Sequence, residues 1–157
     1  MKVTAPGDRE IVMTRSFDAP GRLVFAALTE PELVKRWLGA RGWNVVEAEI
    51  DLRVGGRWRF VSRGPGGASM GHGGVYREIV PGVRLVYTEE FDDQWFPGEC
   101  LVRVALVEVG GRTTMTTSLT YASAEVRDGV LRSPMERGVG EGYARLDILL
   151  RTMEAKP

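Results

Sequence analysis

The chain has 157 residues, of which 43% are hydrophobic and 27% charged, which fits one globular domain with a substantial core and excludes a disordered segment. Its 21 basic and 21 acidic side chains leave no net charge, so no electrostatic pull toward nucleic acid or an anionic membrane is expected. Cys100 is the only cysteine, which excludes an intrachain disulfide.

The opening residues, Met1 to Gly7, lack a signal-peptide apolar core. No apolar run approaches the roughly 20 residues of a membrane helix, and a cytoplasmic protein is expected. Glu10 to Phe17 is rich in branched and apolar residues and reads as the first strand. Asp18-Ala19-Pro20 opens a short helix carrying Leu23, Val24, Ala27 and Leu28, since proline suits a first turn. A second short helix follows, with Thr29 and Glu32 at capping-box spacing, Leu33 and Trp37 on one face, and Gly39 as its stop.

The middle of the chain alternates with period two. Val46 to Asp51 is one such strand, and Arg57-Trp58-Arg59-Phe60 places two aromatics on one face of the next, beyond a Gly55-Gly56 turn. The glycine-rich stretch from Arg63 to Gly74 is expected to hold a hairpin loop. Val75 to Val80 and Val83 to Phe91 then flank a Pro81-Gly82 turn, with Leu85, Tyr87 and Phe91 sharing a parity. Asp92 to Gly98 is a loop, and Cys100 to Val109 with Thr113 to Tyr121 makes a last hairpin around Gly110-Gly111.

The final element is a helix of about five turns. Ser133, Pro134 and Glu136 have the spacing of a capped start. Met135, Val139, Gly142, Tyr143, Leu146, Leu149, Leu150 and Met153 fall on one stripe, which requires a sheet to cover, while Ile148 falls outside it. Glu141 and Arg145 form a favourable pair four apart. Gly138, Gly140 and Gly142 each weaken the helix by about 1 kcal/mol against alanine. Their missing side chains either leave space beside the aromatics of the sheet or permit close packing, and the sequence leaves both open.

Catalytic motifs are absent. His72 is the only histidine, lies among glycines without a nucleophile motif, and reads as a loop or strand-end residue. One histidine and one cysteine lack metal-ligand spacing, so neither a metal nor a cofactor is expected. Gly64 to Gly67 and Gly71 to Gly74 lack the Lys-Ser/Thr ending of a phosphate loop. Glu89-Glu90, Asp92-Asp93 and Glu99 read as a solvated strand end, although a carboxylate turned into an apolar pocket would serve as an acid or base. Cys100 reads as a small core residue.

The succession of strand, two short helices, six strands and long helix, with specific fragments along it, resembles the START-like, birch-pollen-allergen-like (SRPBCC) superfamily. Within it the chain is similar to bacterial homologues of the carboxy-terminal domain of the heat-shock-protein-90 ATPase activator. The fragments are Thr14 to Pro20, Leu23 to Pro31, Leu33 to Trp37, Asp51 to Trp58, Gly74 to Pro81, Arg84 to Thr88, Met135 to Val139 and Leu146 to Leu150. They span about residues 9–153 of a single domain assigned to 1–157.

The resemblance implies an α+β helix-grip fold: a curved antiparallel β-sheet wrapped around a long C-terminal helix, with two short helices after the first strand. It also implies a cavity between sheet and final helix, and no shared catalytic residue. The expected function is non-enzymatic binding of a small hydrophobic or aromatic ligand. The expected lining is Trp37, Trp58, Phe60, Tyr76, Tyr87, Phe91, Met135 and Tyr143. Two alternatives are kept: a cyclase- or hydrolase-type enzyme using the same cavity, and a stress-response or chaperone-interacting regulator that uses Trp95-Phe96 or Ile148 and forms a homodimer.

Overall fold

The period-two segments become strands with one buried face. In β4 (Arg57–Arg63), Trp58, Phe60 and Ser62 are buried while Arg57, Arg59 and Arg63 are exposed. The same alternation buries Ile11, Met13 and Phe17 of β2 (Glu10–Phe17), and Val102, Val104 and Leu106 of β7 (Cys100–Val109). It also buries Thr113, Met115, Thr117 and Leu119 of β8 (Arg112–Thr120). Together with β1 (Lys2–Thr4), β3 (Asn44–Ile50), β5 (Ser69–Val80) and β6 (Arg84–Phe91) they form one antiparallel sheet, ordered β1-β2-β8-β7-β6-β5-β4-β3. The computed structural model describes residues 1–154.

The helices are α1 (Gly21–Thr29), α2 (Pro31–Trp37), α3 (Ala124–Arg132) and α4 (Met135–Glu154); α1, α2 and α4 cover the buried face of the sheet, and α3 packs against α4 and the amino-terminal segment. The apolar stripe of α4 buries Tyr143, Leu146, Leu149 and Leu150. It lies over the β2–β8 half, where the Tyr143 ring meets Phe17 edge-on at 6.1 Å and its hydroxyl lies 3.3 Å from Thr117 Oγ1. The short pair α1 and α2 is locked internally, because Trp37 Nε1 donates to the Ala27 carbonyl at 2.8 Å. This is the helix-grip α+β fold that the sequence implied. No described helix is long and apolar enough to cross a membrane.

Several local expectations are corrected. Thr29 does not cap α2; its hydroxyl donates back to the Phe25 carbonyl inside α1, and Glu30 is the extended N-cap with no side-chain bond. The cause is Pro31, which forces the residue before it out of helical geometry and so ends α1 at Thr29. Ser133 Oγ accepts from the Met135 amide at 3.3 Å, but Glu136 makes no bond back to it among the described residues. Arg145 does not pair with Glu141. It donates to the carbonyls of Gly39 and Trp43 and to Asn44 Oδ1, clamping the turn after α2.

The glycine-rich stretch is also mostly strand. Its loop is only a tight turn around Pro65–Gly67, and β5 runs from Ser69 through Gly71, Gly73 and Gly74. A Cβ on Gly74 would overlap the Thr88 carbonyl, so β5 and β6 touch where no side chain intervenes. Gly74 stands opposite Trp58, and the indole reaches past it to donate from Nε1 to the Thr88 carbonyl at 3.1 Å. The Val75 amide bonds Thr88 Oγ1 instead, at 3.0 Å, so the narrowed ladder keeps its donors paired. By contrast Gly110-Gly111 behaves as read: both take positive φ and close a two-residue hairpin between Val109 and Arg112.

The elements that the sequence did not announce are β1 and α3, and one buried cation on α3 holds the segment between β1 and β2. Ser123 caps α3 by accepting from the Val126 amide. Arg127, buried on α3, donates to the carbonyls of Ala5, Gly7 and Glu10, tying the amino-terminal segment to the helix. Its charge is answered by Asp128 at 2.8 Å.

Two consequences follow from these contacts. Replacing Arg127 by Met leaves three carbonyls without their donor, and the urea midpoint should fall by an equivalent of about 2–3 kcal/mol; a loss under about 0.5 kcal/mol would show that water serves them equally well. Gly74→Ala should force β5 away from β6 and break the indole bond. The check is a fall in melting temperature together with a shift of tryptophan emission toward that of solvated indole.

Candidate functional site

The aromatics that alternate along β4, β5 and β6 converge on one concavity, because residues of like parity share a sheet face. Phe60 stands opposite His72, and Tyr76 opposite Tyr87. With Trp58, Leu85, Glu89 and Val104 they wall a cavity of ≈ 80 Å³, roofed by Leu28, Val34, Trp37 and Leu38 from α1, α2 and the residue after α2. Leu28, Leu38, Tyr87 and Glu89 are only half-buried, which marks the side where the cavity reaches the surface.

One polar pair interrupts the apolar wall. His72 is 7% exposed, and its Nδ1 lies 3.1 Å from Glu89 Oε2. The imidazole stacks on Phe91 with centroids 4.8 Å apart and planes 4° from parallel. Trp58 and Phe60 meet it edge-on at 5.4 and 5.7 Å. The ring is thus held on several sides and oriented by a carboxylate, the second-residue support that fixes an imidazole's direction.

The tyrosines nearby are neutral hydrogen-bonding groups. Burial pushes the phenols of Tyr76 and Tyr87 above their ordinary value, and the charge of Glu89 adds to the effect on Tyr87. Burial raises Tyr143 as well, against the bond from Thr117. The Cys100 thiol is also pushed up by burial, so it is an unreactive core group.

Of the residues expected at the site, Trp37, Trp58, Phe60, Tyr76 and Tyr87 line the cavity. Phe91 stands behind it, as the platform under His72. Tyr143 lies one layer away, its ring 6.3 Å from Trp37 and its hydroxyl beside Thr117. Met135, at the start of α4, packs against the core and is not part of the wall. The reason is the position of α4. Its glycines meet the turn after α2, with a Cβ on Gly142 falling 3.4 Å from the Gly39 carbonyl and one on Gly138 3.5 Å from Ala40 Cβ. A methyl there would already be in ordinary contact with the turn, so the glycines leave no room for a ligand, and the cavity sits under the short helices instead.

The residues underweighted in the sequence are His72 and Glu89. The signal for both was parity: His72 shares the face of Tyr76 once β5 is extended through the glycines, and Glu89 that of Leu85, Tyr87 and Phe91. The rest of the acidic run does lie at a solvated edge. Glu90 accepts from Gln94 at 2.7 Å, and Asp92 takes both guanidinium nitrogens of Arg59, which holds its carboxyl below the usual range. Among the described residues no group of three or more His, Cys, Asp or Glu is placed to hold a metal ion.

With this geometry in place, comparison with known proteins gives a consistent answer. The family described as "Activator of Hsp90 ATPase homolog 1-like protein" matches residues 18–151. A crystal structure of a protein from Rhodobacter sphaeroides is 34% identical, covers 96% of this chain and 98% of its own, and superposes with a TM-score of 0.89. A protein from Chromobacterium violaceum is 26% identical over 90% of this chain and 96% of its own, with a TM-score of 0.81. At 24% identity, a solution structure from Arthrobacter aurescens covers 96% of this chain and 91% of its own at a TM-score of 0.87, which speaks for the fold alone. Comparison with curated proteins finds no match. A helix-grip sheet with these signatures, matched over most of its length, therefore belongs to the family of activator of Hsp90 ATPase homolog 1-like proteins.

Proposed function

We propose that the protein is a non-enzymatic, cytoplasmic binder of a small hydrophobic ligand, held in the cavity between α2 and the β4–β7 part of the sheet. The observation that carries this reading is the aromatic wall of Trp37, Trp58, Phe60, Tyr76 and Tyr87 around a space that the core leaves unfilled. Well-packed interiors hold few voids larger than a water molecule, so a void lined by five aromatics is the default binding site.

Its size limits the ligand. At ≈ 80 Å³ it is smaller than the ~150 Å³ of an apolar cavity that takes benzene. A single planar ring enters only as the half-buried rim of Leu28, Leu38 and Tyr87 yields. Leu28 lies on α1 and Leu38 directly follows α2, helices of nine and seven residues, while Tyr87 is held on β6. Helices this short depend on packing for their stability, so the Leu28 and Leu38 side of the rim is the side that yields.

A second reading draws on the His72–Glu89 pair: an imidazole oriented by a carboxylate at a cavity wall has the arrangement of a general base, as a cyclase- or hydrolase-type enzyme needs. A chaperone-facing or regulatory role has weaker support. Trp95 and Ile148 are 46% and 65% exposed on separate elements, and singly exposed apolar residues are ordinary.

The ligand-binding reading is tested with nitrobenzene, a flat apolar quencher of indole emission. Saturable quenching is expected in the wild type, with a melting temperature that rises with probe concentration by about 2–4 °C per kcal/mol of linkage. Val104→Phe places a ring in the void and should remove both signals while the protein stays folded. A wild type that shows no saturable response to nitrobenzene and to other one-ring apolar probes would sink the reading.

A further inference from the structure

We propose that the cavity selects planar ring ligands bearing a hydroxyl, and that His72 Nε2 accepts the hydrogen of that hydroxyl. The inference rests on the ligand-binding reading above and names the chemical class that the site would take. It comes from the accounting of polar atoms around the cavity. A carboxylate only accepts, so in the bond between Glu89 Oε2 and His72 Nδ1 the hydrogen sits on Nδ1. In a neutral imidazole the other nitrogen then carries a lone pair and no hydrogen.

Nε2 makes no hydrogen bond with any described residue, yet no described side-chain nitrogen or oxygen is sealed from solvent without a partner. It therefore opens onto accessible space, and the space beside His72 is the cavity. The ring cannot turn to relieve this, since Phe91 stacks on it, Trp58 and Phe60 close on it edge-on, and Glu89 holds the far nitrogen. With the imidazole neutral, the wall presents a fixed acceptor among mostly apolar groups. A pure hydrocarbon ligand would strip Nε2 of water and give nothing back, which is penalised.

Two more polar atoms join it. Tyr76 and Tyr87 belong to the same wall, their hydroxyls also bond no described residue, and burial keeps both phenols protonated at neutral pH, available as donors. A hydroxyl meets both demands on one atom, giving its hydrogen to Nε2 and accepting from tyrosine hydroxyls through an oxygen that accepts more strongly than a ring amine. A carboxylate on the ligand would lack the hydrogen and face Glu89, a like charge; an ammonium would supply hydrogens but no acceptor for the tyrosines. The aromatic wall asks for a flat ring, so the class is phenols and similarly shaped ring enols.

Phenol and toluene, which differ by a hydroxyl in place of a methyl, provide the test by titration calorimetry. Wild type should bind phenol about tenfold more tightly than toluene, the reverse of their order in a purely apolar cavity. His72→Phe keeps a flat ring over Phe91 but removes the acceptor, and should reverse the preference. A wild type that binds toluene as tightly as phenol or tighter overturns hydroxyl selection and leaves ring binding standing. Preference for phenol surviving in His72→Phe overturns the role of His72. If neither compound binds the wild type, both this inference and the reading it rests on fall.

Discussion

The geometry of the site depends on the contact between β5 and β6 at Gly74. A single hydrogen replaces a side chain there, the Thr88 carbonyl occupies the space, and the Trp58 indole crosses to bond that carbonyl. Trp58 is then fixed in position, and it is the ring against which the others are set. Phe60 lies 5.0 Å from it, Tyr87 5.3 Å and His72 5.4 Å. The Tyr87 and His72 contacts are edge-to-face, and aromatic pairs of that kind add about 0.5–1.5 kcal/mol each beyond the area they bury. More important here, they are directional, so one anchored indole transmits its orientation to the imidazole and through it to Glu89.

How legible this was in the sequence differs from element to element. The alternation Arg57-Trp58-Arg59-Phe60 placed its aromatics inward with no knowledge of any partner, because strand parity is a local property. The stripe of α4 was equally plain. The glycines were not, for one physical reason in two places. A missing side chain signifies either space or contact, and only the partner strand or turn decides which. At Gly138 and Gly142 the partner is the Gly39-Ala40 turn, so the answer is contact. At Gly71, Gly73 and Gly74 the partners are neighbouring strands, and a segment with the composition of a loop is a strand interior. Arg127 was hidden because an arginine is read as surface until three backbone carbonyls are brought to it by residues more than a hundred positions away.

The candidate site inherits this pattern. Four of the aromatic lining residues were recognisable from strand parity and Trp37 from its helix face, whereas Glu89 was legible only as one of several carboxylates that could turn inward and His72 was masked by its glycine neighbours. Composition describes a neighbourhood along the chain, whereas burial is set across the sheet. Glu89 and Glu90 are adjacent and chemically alike, yet one faces the cavity and bonds an imidazole while the other bonds Gln94 in solvent.

The division of the concave face also separates stability from recognition. The half under α4 is solid: Phe17, Met115, Leu146 and Leu150 are almost wholly buried, and Arg15 donates to the Tyr143 carbonyl while lying over the Phe17 ring. The half under α1 and α2 contains the void, covered by two short helices joined mainly through the Trp37 indole and the Ala27 carbonyl. A ligand that displaces this cover perturbs seven- and nine-residue elements and leaves the long helix seated on its strands. Local opening is separable from global unfolding, so this cover can yield at its half-buried rim while the half under α4 stays packed.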